Sequence, residues 1–149
     1  MKVSAVIFEG GNPITQIEQD MVLLRRAMVL DNIEKFKQAK EIDKIIIATN
    51  YPEFRDRLLK DKNLIVDYDD GDFNLGKRLS EIIEKNSLEA VFYLGGAAGP
   101  LITVEEIDSF AKQVVESPNT VMTNNVQSSD ILVFSPAHAI NDIHVFPVK

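Results

Sequence analysis

The chain has 149 residues, of which 45% are hydrophobic and 26% charged, and its formal net charge is −7. This length suits one domain, and the composition is typical of globular proteins. With no cysteine and only two histidines, His138 and His144, the sequence excludes disulfides, thiolate metal sites, a cysteine nucleophile and a histidine-rich metal cluster.

The net negative charge argues against a nucleic-acid partner, because binding to phosphodiesters depends on neutralising them with Lys and Arg. The first residues form a short apolar run that ends in glycine, unlike a signal peptide. No apolar stretch approaches the roughly 20 residues of a membrane span. We therefore expect a cytoplasmic protein without a membrane partner. Assembly into a homo-oligomer is compatible with the sequence.

The first half of the chain alternates apolar runs with amphipathic segments. Residues 3–8 predict a buried strand, and apolar residues at helical spacing predict a long helix over residues 20–40. Residues 44–49 are apolar on both faces, as expected of a strand in a parallel sheet. Pro52 then opens a short helix that reaches about residue 60.

The alternation continues in the middle of the chain. Residues 63–67 predict a third strand, residues 69–73 an acidic loop, and the apolar spacing from Leu75 a helix with one buried stripe. Residues 90–94 predict a fourth strand. Thr103 with Glu106 forms a capping-box pattern that opens the next helix.

Residues 120–123 and 131–134 predict two late strands, and residues 136–143 a short helix. The repeated alternation predicts the α/β class, as a three-layer α/β/α arrangement with a mainly parallel, Rossmann-like sheet. No linker or repeat divides the chain, so we expect one domain over residues 1–149. Ligands of such sheets bind beyond the carboxyl ends of the strands, which points to the loops at residues 9–12, 68–76 and 95–100.

Gly10 and Gly11 follow the first strand, where glycine lets a ligand approach the backbone closely. An ordinary strand-to-helix turn explains them equally well, since the dinucleotide and phosphate-loop spacings are absent. Arg25 and Arg26 stand early in the long helix. Either arginine could pair with a phosphate, and a solvated helix face is the alternative.

The acidic loop suggests a magnesium site, because hard cations prefer carboxylate oxygens, and Asp70 is the candidate ligand. A solvated acidic turn is the alternative, with Asp72 or Asn74 capping the following helix. Gly76 lies one turn into that helix, where glycine costs about 1 kcal/mol relative to alanine. This cost predicts a close approach to the backbone there.

The segment at residues 95–100, GGAAGP, carries minimal side chains directly after a buried strand. Such a segment can leave backbone N–H groups free to bind a ribose or phosphates, which makes Gly95 and Gly96 candidate nucleotide contacts. Close packing of a neighbouring loop is the alternative.

Four segments together resemble the nucleotidyltransferase branch of the nucleotide-diphospho-sugar transferases, of glycosyltransferase-A type fold, which includes molybdenum cofactor nucleotidyltransferases. They are AVIFEGG, RRAMVLDNIEKFKQAKEIDKIIIATN, FNLGKRLSEIIEK and AVFYLGGAAGPLITVEEIDSF. The resemblance covers most of residues 1–123. It implies that Gly10 and Gly11 contact a nucleotide, that Asn74 and Gly76 lie near the base or ribose, and that residues 95–99 lie by the phosphates, with Mg²⁺ as cofactor.

The sequence also departs from the family. No basic residue precedes Arg25 after the first glycines, and Ala97 and Ala98 stand where the family has a metal-binding aspartate. The chain ends after the strand-like IHVFPV, before the family fold does, which suggests a shortened or truncated relative.

The first hypothesis is thus a nucleotide-binding, nucleotidyltransferase-like protein that transfers a nucleoside monophosphate from an NTP to a small acceptor and releases pyrophosphate. The second is an inactive relative, acting as a nucleotide sensor or as an interaction module that dimerises through the late strands. A third is an α/β protein that binds another small ligand and in which the glycines serve only to form turns. The sequence identifies no catalytic residue.

Overall fold

The structure, a computed structural model, describes residues 1–125 and 130–142. In these ranges the strands are β1 (Val3–Glu9), β2 (Ile42–Thr49), β3 (Ile65–Tyr68), β4 (Ala90–Gly95), β5 (Thr120–Thr123) and β6 (Ile131–Ser135). The helices are α1 (Gln16–Gln38), α2 (Pro52–Leu58), α3 (Leu75–Asn86) and α4 (Val104–Glu116), and a 3₁₀ helix spans Ala137–Asp142.

The strands form one sheet in the order β3-β2-β1-β4-β6-β5. The first four are mutually parallel, whereas β6 runs antiparallel to β4 and β5. From β1 the chain moves to one edge through β2 and β3, then returns to the other side of β1 with β4. The strand order therefore reverses between β1 and β4, where ligands of such sheets bind.

The sheet lies between two helical layers because successive side chains of each strand point to opposite faces. Ala5 and Ile7 of β1 belong to the core under α1, α2 and α4, whereas Val6 and Phe8 belong to the core under α3 and the 3₁₀ helix. This arrangement confirms the predicted three-layer α/β fold with a mainly parallel sheet.

Helix α1 begins at Gln16, four residues before the predicted start. Thr15 and Glu18 form a capping box, in which the Thr15 hydroxyl accepts from the Glu18 N–H and the Glu18 carboxylate accepts from the Thr15 N–H. This T-x-x-E signal is present in the sequence. The four extra residues add about one turn to the start of α1.

The described residues include one of the two histidines. His138 lies exposed on the 3₁₀ helix, whereas His144 and the strand-like end of the chain lie outside the described residues. Within the described ranges, every helix is too short or too polar to cross a bilayer.

Candidate functional site

A cavity of about 620 Å³ lies at the carboxyl edge of the sheet, beside the ends of β1 and β2, with Gly96 from the loop after β4 in its lining. It is formed by the end of β1 and the loop after it, the end of β2, the acidic loop after β3, and single residues of α1, α3 and the β4–α4 loop. Its lining comprises residues 8–12, Arg25, residues 48–50, residues 69–73, Arg78 and Gly96.

Five candidate residues from the sequence meet in this cavity. Gly10 and Gly11 line it from the loop after β1, Gly96 from the loop after β4, and Arg25 from α1. Asp70 lines it from the acidic loop. The topology thus brings together residues as far apart in the chain as Gly10 and Gly96.

Three other candidates lie outside the cavity lining in the described part of the chain. Asn74 is the N-cap of α3, where its side chain accepts from the Lys77 N–H at 3.0 Å. Gly76 lies in the first turn of the same helix. Gly95 ends β4, and a Cβ on it would meet the Tyr93 hydroxyl at 2.9 Å.

The Gly10-Gly11 turn packs against a side chain that the sequence did not point to. Asn50, directly after β2, accepts from the Gly11 N–H at 3.0 Å and donates through Nδ2 to the Gly11 carbonyl at 2.8 Å. A Cβ on Gly10 would lie 2.7 Å from Asn50 Oδ1. At Gly10, therefore, close packing by Asn50 is itself a sufficient reason for glycine.

The expectation of free N–H groups at the β4–α4 loop is wrong for two residues. The Gly95 N–H donates to the Asp130 carbonyl at 2.8 Å, and the Gly96 N–H donates to the Phe8 carbonyl. Because these donors are occupied inside the fold, they are not available to a phosphate. Gly96 has φ +45°, in the left-handed region that glycine adopts most readily.

Glu9 is the most deeply buried charged group of the cavity, with 1% of its surface exposed. Oε1 accepts from Arg25 Nε at 3.3 Å, whereas Oε2 has no hydrogen-bond partner among the described residues. Oε2 lies against Gly96, 3.5 Å from the position of a Cβ there. Burial raises the pKa of Glu9 above its ordinary value, opposed by the positive charges of Arg25 and Arg26.

The two adjacent arginines of α1 have different surroundings. Arg25 lines the cavity and pairs with Glu9. The guanidinium of Arg26 stacks 4.5 Å from the centroid of the Tyr51 ring and pairs with Glu53. Arg26 therefore links α1 to α2, whereas Arg25 is the arginine that a ligand could reach.

Arg78 on α3 is a second guanidinium in the cavity, and no motif in the sequence singles it out. It forms an ion pair with the buried carboxylate of Asp67, lies 3.8 Å from Asp69 Oδ2, and donates to the Asp67 carbonyl at 3.1 Å. Lys85 completes the cluster through its own pair with Asp67. The acidic loop thus surrounds a basic residue.

The cavity has a net negative lining, with four carboxylates against two guanidinium groups. An apolar surface is provided by Phe73, whose ring is 73% exposed and lies 6.1 Å from that of Phe8 in an edge-to-face arrangement. An exposed aromatic ring beside polar groups is suited to packing against a flat, heteroatom-rich ring.

The acidic residues of the described chain do not form a protein-only metal site. No three carboxylate or histidine side chains converge within residues 1–125 and 130–142. Asp69 Oδ1 accepts from the Gly71 N–H at 2.7 Å. A Mg²⁺ ion bound by one or two of the described carboxylates would take its other ligands from water or from the oxygens of a bound phosphate.

No protein-family model matches the sequence, and no curated protein matches it. Solved structures do resemble it. A cytidylyltransferase from Leptospira borgpetersenii serovar Hardjo-bovis (strain JB197) aligns with a TM-score of 0.67 at 18% identity, covering 99% of this chain and 66% of that one. A CMP:2-keto-3-deoxy-manno-octonic acid synthetase complexed with CTP aligns with a TM-score of 0.60 at 14% identity, covering 91% and 65%.

A third neighbour, a 4-diphosphocytidyl-2C-methyl-D-erythritol synthase, aligns with a TM-score of 0.59 at 10% identity, covering 96% of this chain and 80% of that one. The chain thus spans slightly less than two thirds of the length of the first two neighbours. At these identities the likeness shows the fold alone: the chain shares its architecture with these three structures.

Proposed function

We propose that this chain binds a nucleotide in the cavity at the carboxyl edge of the sheet and acts as a nucleotidyltransferase. In the reaction an acceptor oxygen attacks the α-phosphorus of an NTP, the bond to the β-phosphate oxygen breaks, and pyrophosphate leaves. The observation that carries the proposal is the position of the cavity, at the switch point of a fold shared with a synthetase solved in complex with CTP.

The lining offers a partner for each part of a nucleotide. Phe73 supplies an aromatic face for the base, since stacking on such rings tolerates any base. Arg25 and Arg78 supply guanidinium groups, which bind phosphates bidentately. Glu9 lines the cavity and would accept a hydrogen bond from a ribose hydroxyl or an amino group.

Mg²⁺ would neutralise charge that develops on the phosphates. Asp70 is the carboxylate that we propose as its protein ligand, because it lines the cavity and faces solvent. Membership of the molybdenum cofactor branch is a narrower proposal. Since the structural neighbours include a CTP complex, CTP is the first nucleotide to test.

A second candidate function is a catalytically inactive nucleotide sensor, and the charges of the cavity favour it. Each guanidinium group is already paired, Arg25 with Glu9 and Arg78 with Asp67. A triphosphate must compete with these carboxylates. Positioning and charge neutralisation provide nearly all of the catalysis in such reactions, so a site with few available cations could bind a nucleotide without turning it over.

Two measurements on the full chain distinguish these functions. Calorimetry with each NTP, with and without Mg²⁺, measures binding, and a pyrophosphate assay with candidate acceptors measures transfer. Arg25→Gln should weaken binding, whereas Arg57→Gln, an exposed change on α2 outside the cavity, should not. Binding with pyrophosphate release supports the transferase, and binding without release supports the sensor. A lack of binding to every NTP would refute both and leave another small ligand.

A further inference from the structure

The ion pair between Glu9 and Arg25 joins a buried carboxylate to a cation that the cavity exposes. The side chain of Glu9 is 1% exposed, whereas that of Arg25 is 33% exposed. Glu9 is the last residue of β1, and Arg25 approaches it from α1, with Nη2 3.9 Å from the position of a Cβ on Gly11. A ligand in the cavity can therefore reach Arg25 while Glu9 stays inside the fold.

Arg25 is the main counter-ion of Glu9. It donates through Nε to Oε1 at 3.3 Å, whereas Oε2 has no hydrogen-bond partner among the described residues. The neighbouring cation, Arg26, pairs with Glu53 and stacks on Tyr51. Both arginines oppose the effect of burial on the pKa of Glu9, and Arg25 does so more strongly. The ionised form of Glu9 therefore depends mainly on Arg25.

The other groups that the described chain places around Glu9 cannot replace Arg25. The Tyr51 hydroxyl is buried, and burial together with the charge of Glu9 raises its pKa above the ordinary value of 10.0, so it stays neutral. Gly96 lies against Oε2 and brings no charge. Across the cavity, Arg78 is already paired. The acidic loop adds only carboxylates to the lining, namely Asp69, Asp70 and Asp72.

A phosphate that binds to Arg25 would take away the cation that stabilises the Glu9 carboxylate. A buried carboxylate without a cation is costly, and such a group usually takes up a proton. A hydrogen bond from the ligand lowers this cost, whereas a proton removes the charge itself. Because hydrogen bonds between ionised groups are about twice as strong as neutral ones, a protonated Glu9 would hold Arg25 less firmly than the carboxylate does.

We propose that Glu9 controls anion binding in the cavity, because its carboxylate competes with the ligand for Arg25 and a proton taken up by Glu9 leaves Arg25 to the ligand. This inference rests on the proposed function, in which the ligand carries a phosphate that binds to Arg25. Binding then draws up to one proton from solvent onto Glu9. Affinity should therefore fall as pH rises, from the pKa of Glu9 in the free chain, which lies above 4.5, to its higher pKa in the complex.

Calorimetric titration of the full chain with CTP, or with whichever NTP it binds most tightly, measures this competition. Between about pH 5 and about pH 8 the dissociation constant of the wild type should rise by up to about tenfold per pH unit, the limit for one proton. Glu9→Gln keeps an acceptor oxygen without the charge. It should bind about tenfold or more tightly than the wild type at about pH 8, because an opposite charge shifts the pKa of a carboxyl group by about one to three units.

Two further variants show whether Glu9 acts through Arg25. Glu53→Gln is the matched control, since Glu53 pairs with Arg26 outside the cavity lining, and it should bind as the wild type does at each pH. In the Arg25→Gln background, Glu9→Gln should change the dissociation constant by less than about twofold. An equal gain in both backgrounds would mean that Glu9 only adds to the negative charge of the cavity, which would overturn the proposal.

Titrations in buffers of different ionisation enthalpy count the protons taken up on binding. Protonation of the nucleotide itself affects both proteins equally, so the wild type should take up more protons than Glu9→Gln, by up to one per nucleotide. Nucleotide binding by both proteins with equal proton uptake would overturn the role of Glu9 and leave the proposed function intact. Binding by Glu9→Gln alone at about pH 8 supports the competition. Failure of both proteins to bind any NTP would overturn this inference together with the nucleotide site.

Discussion

Replacing Gly10 by alanine tests whether the glycine turn after β1 accommodates a neighbouring side chain or a ligand. The new Cβ would lie 2.7 Å from Asn50 Oδ1, so Asn50 has to move. Its movement would break both hydrogen bonds to Gly11, at 3.0 and 2.8 Å. Each contributes about 1 kcal/mol net, and we therefore expect Gly10→Ala to lower the free energy of unfolding by about 2 kcal/mol.

The assay is urea unfolding of the two single variants, Gly10→Ala and Asn50→Ala, and of the double variant. Once Asn50 is shortened the clash is gone, so in that background Gly10→Ala should lower the free energy of unfolding by less than about 0.5 kcal/mol. The coupling energy between the two positions should then be about 1.5 kcal/mol. Additive single effects would refute the packing explanation. A loss of nucleotide binding by Gly10→Ala without loss of stability would instead point to direct contact with a ligand.

Three further changes test the cavity. Phe73→Ala should weaken nucleotide binding about tenfold in calorimetry, because stacking contributes about 1–3 kcal/mol, and should leave the unfolding midpoint unchanged because the ring is exposed. Burial raises the pKa of Glu9, so the folded chain retains a proton that the unfolded chain loses. The free energy of unfolding of the wild type should therefore fall as pH rises above 4.5, the ordinary pKa of a glutamate. Glu9→Gln should lack this fall, and identical pH profiles of unfolding would contradict the assignment. Asp67→Asn should lower the free energy of unfolding by about 3 kcal/mol at neutral pH, because Arg78, whose side chain is 14% exposed, would lose a buried partner. A decrease of less than about 1 kcal/mol in urea unfolding would contradict that account.

The architecture could be predicted because its signals are local. The runs at residues 44–49 and 90–94 are apolar on both faces, which already requires cover on both sides of the sheet. The capping-box pattern at Thr103 likewise predicts the start of α4, and Thr103 is its N-cap. The boundary missed at α1 carried the same kind of signal, at Thr15 and Glu18.

The cavity could be predicted only in part, because its polar partners are distant in sequence. The acidic loop suggests a cation site by itself, yet its neighbour Arg78 is brought there by the packing of α3. The glycines raise the same difficulty, because the space that a missing side chain leaves can be filled equally well by a ligand or by a neighbouring residue. Asn50 occupies the space beside Gly10, and it comes 40 residues later in the chain.

The electrostatics of the cavity bear more directly on function than the fold does. A fold shared at 10% to 18% identity admits both active and inactive relatives. Binding a phosphate here means exchanging the carboxylate partners of Arg25 and Arg78 for phosphate oxygens. That exchange leaves Glu9 buried with neither oxygen paired to Arg25, a costly state unless the ligand also donates a hydrogen bond to it. A ligand that suits this cavity therefore carries an anion and a hydrogen-bond donor together, as a nucleotide does in its phosphate and its ribose.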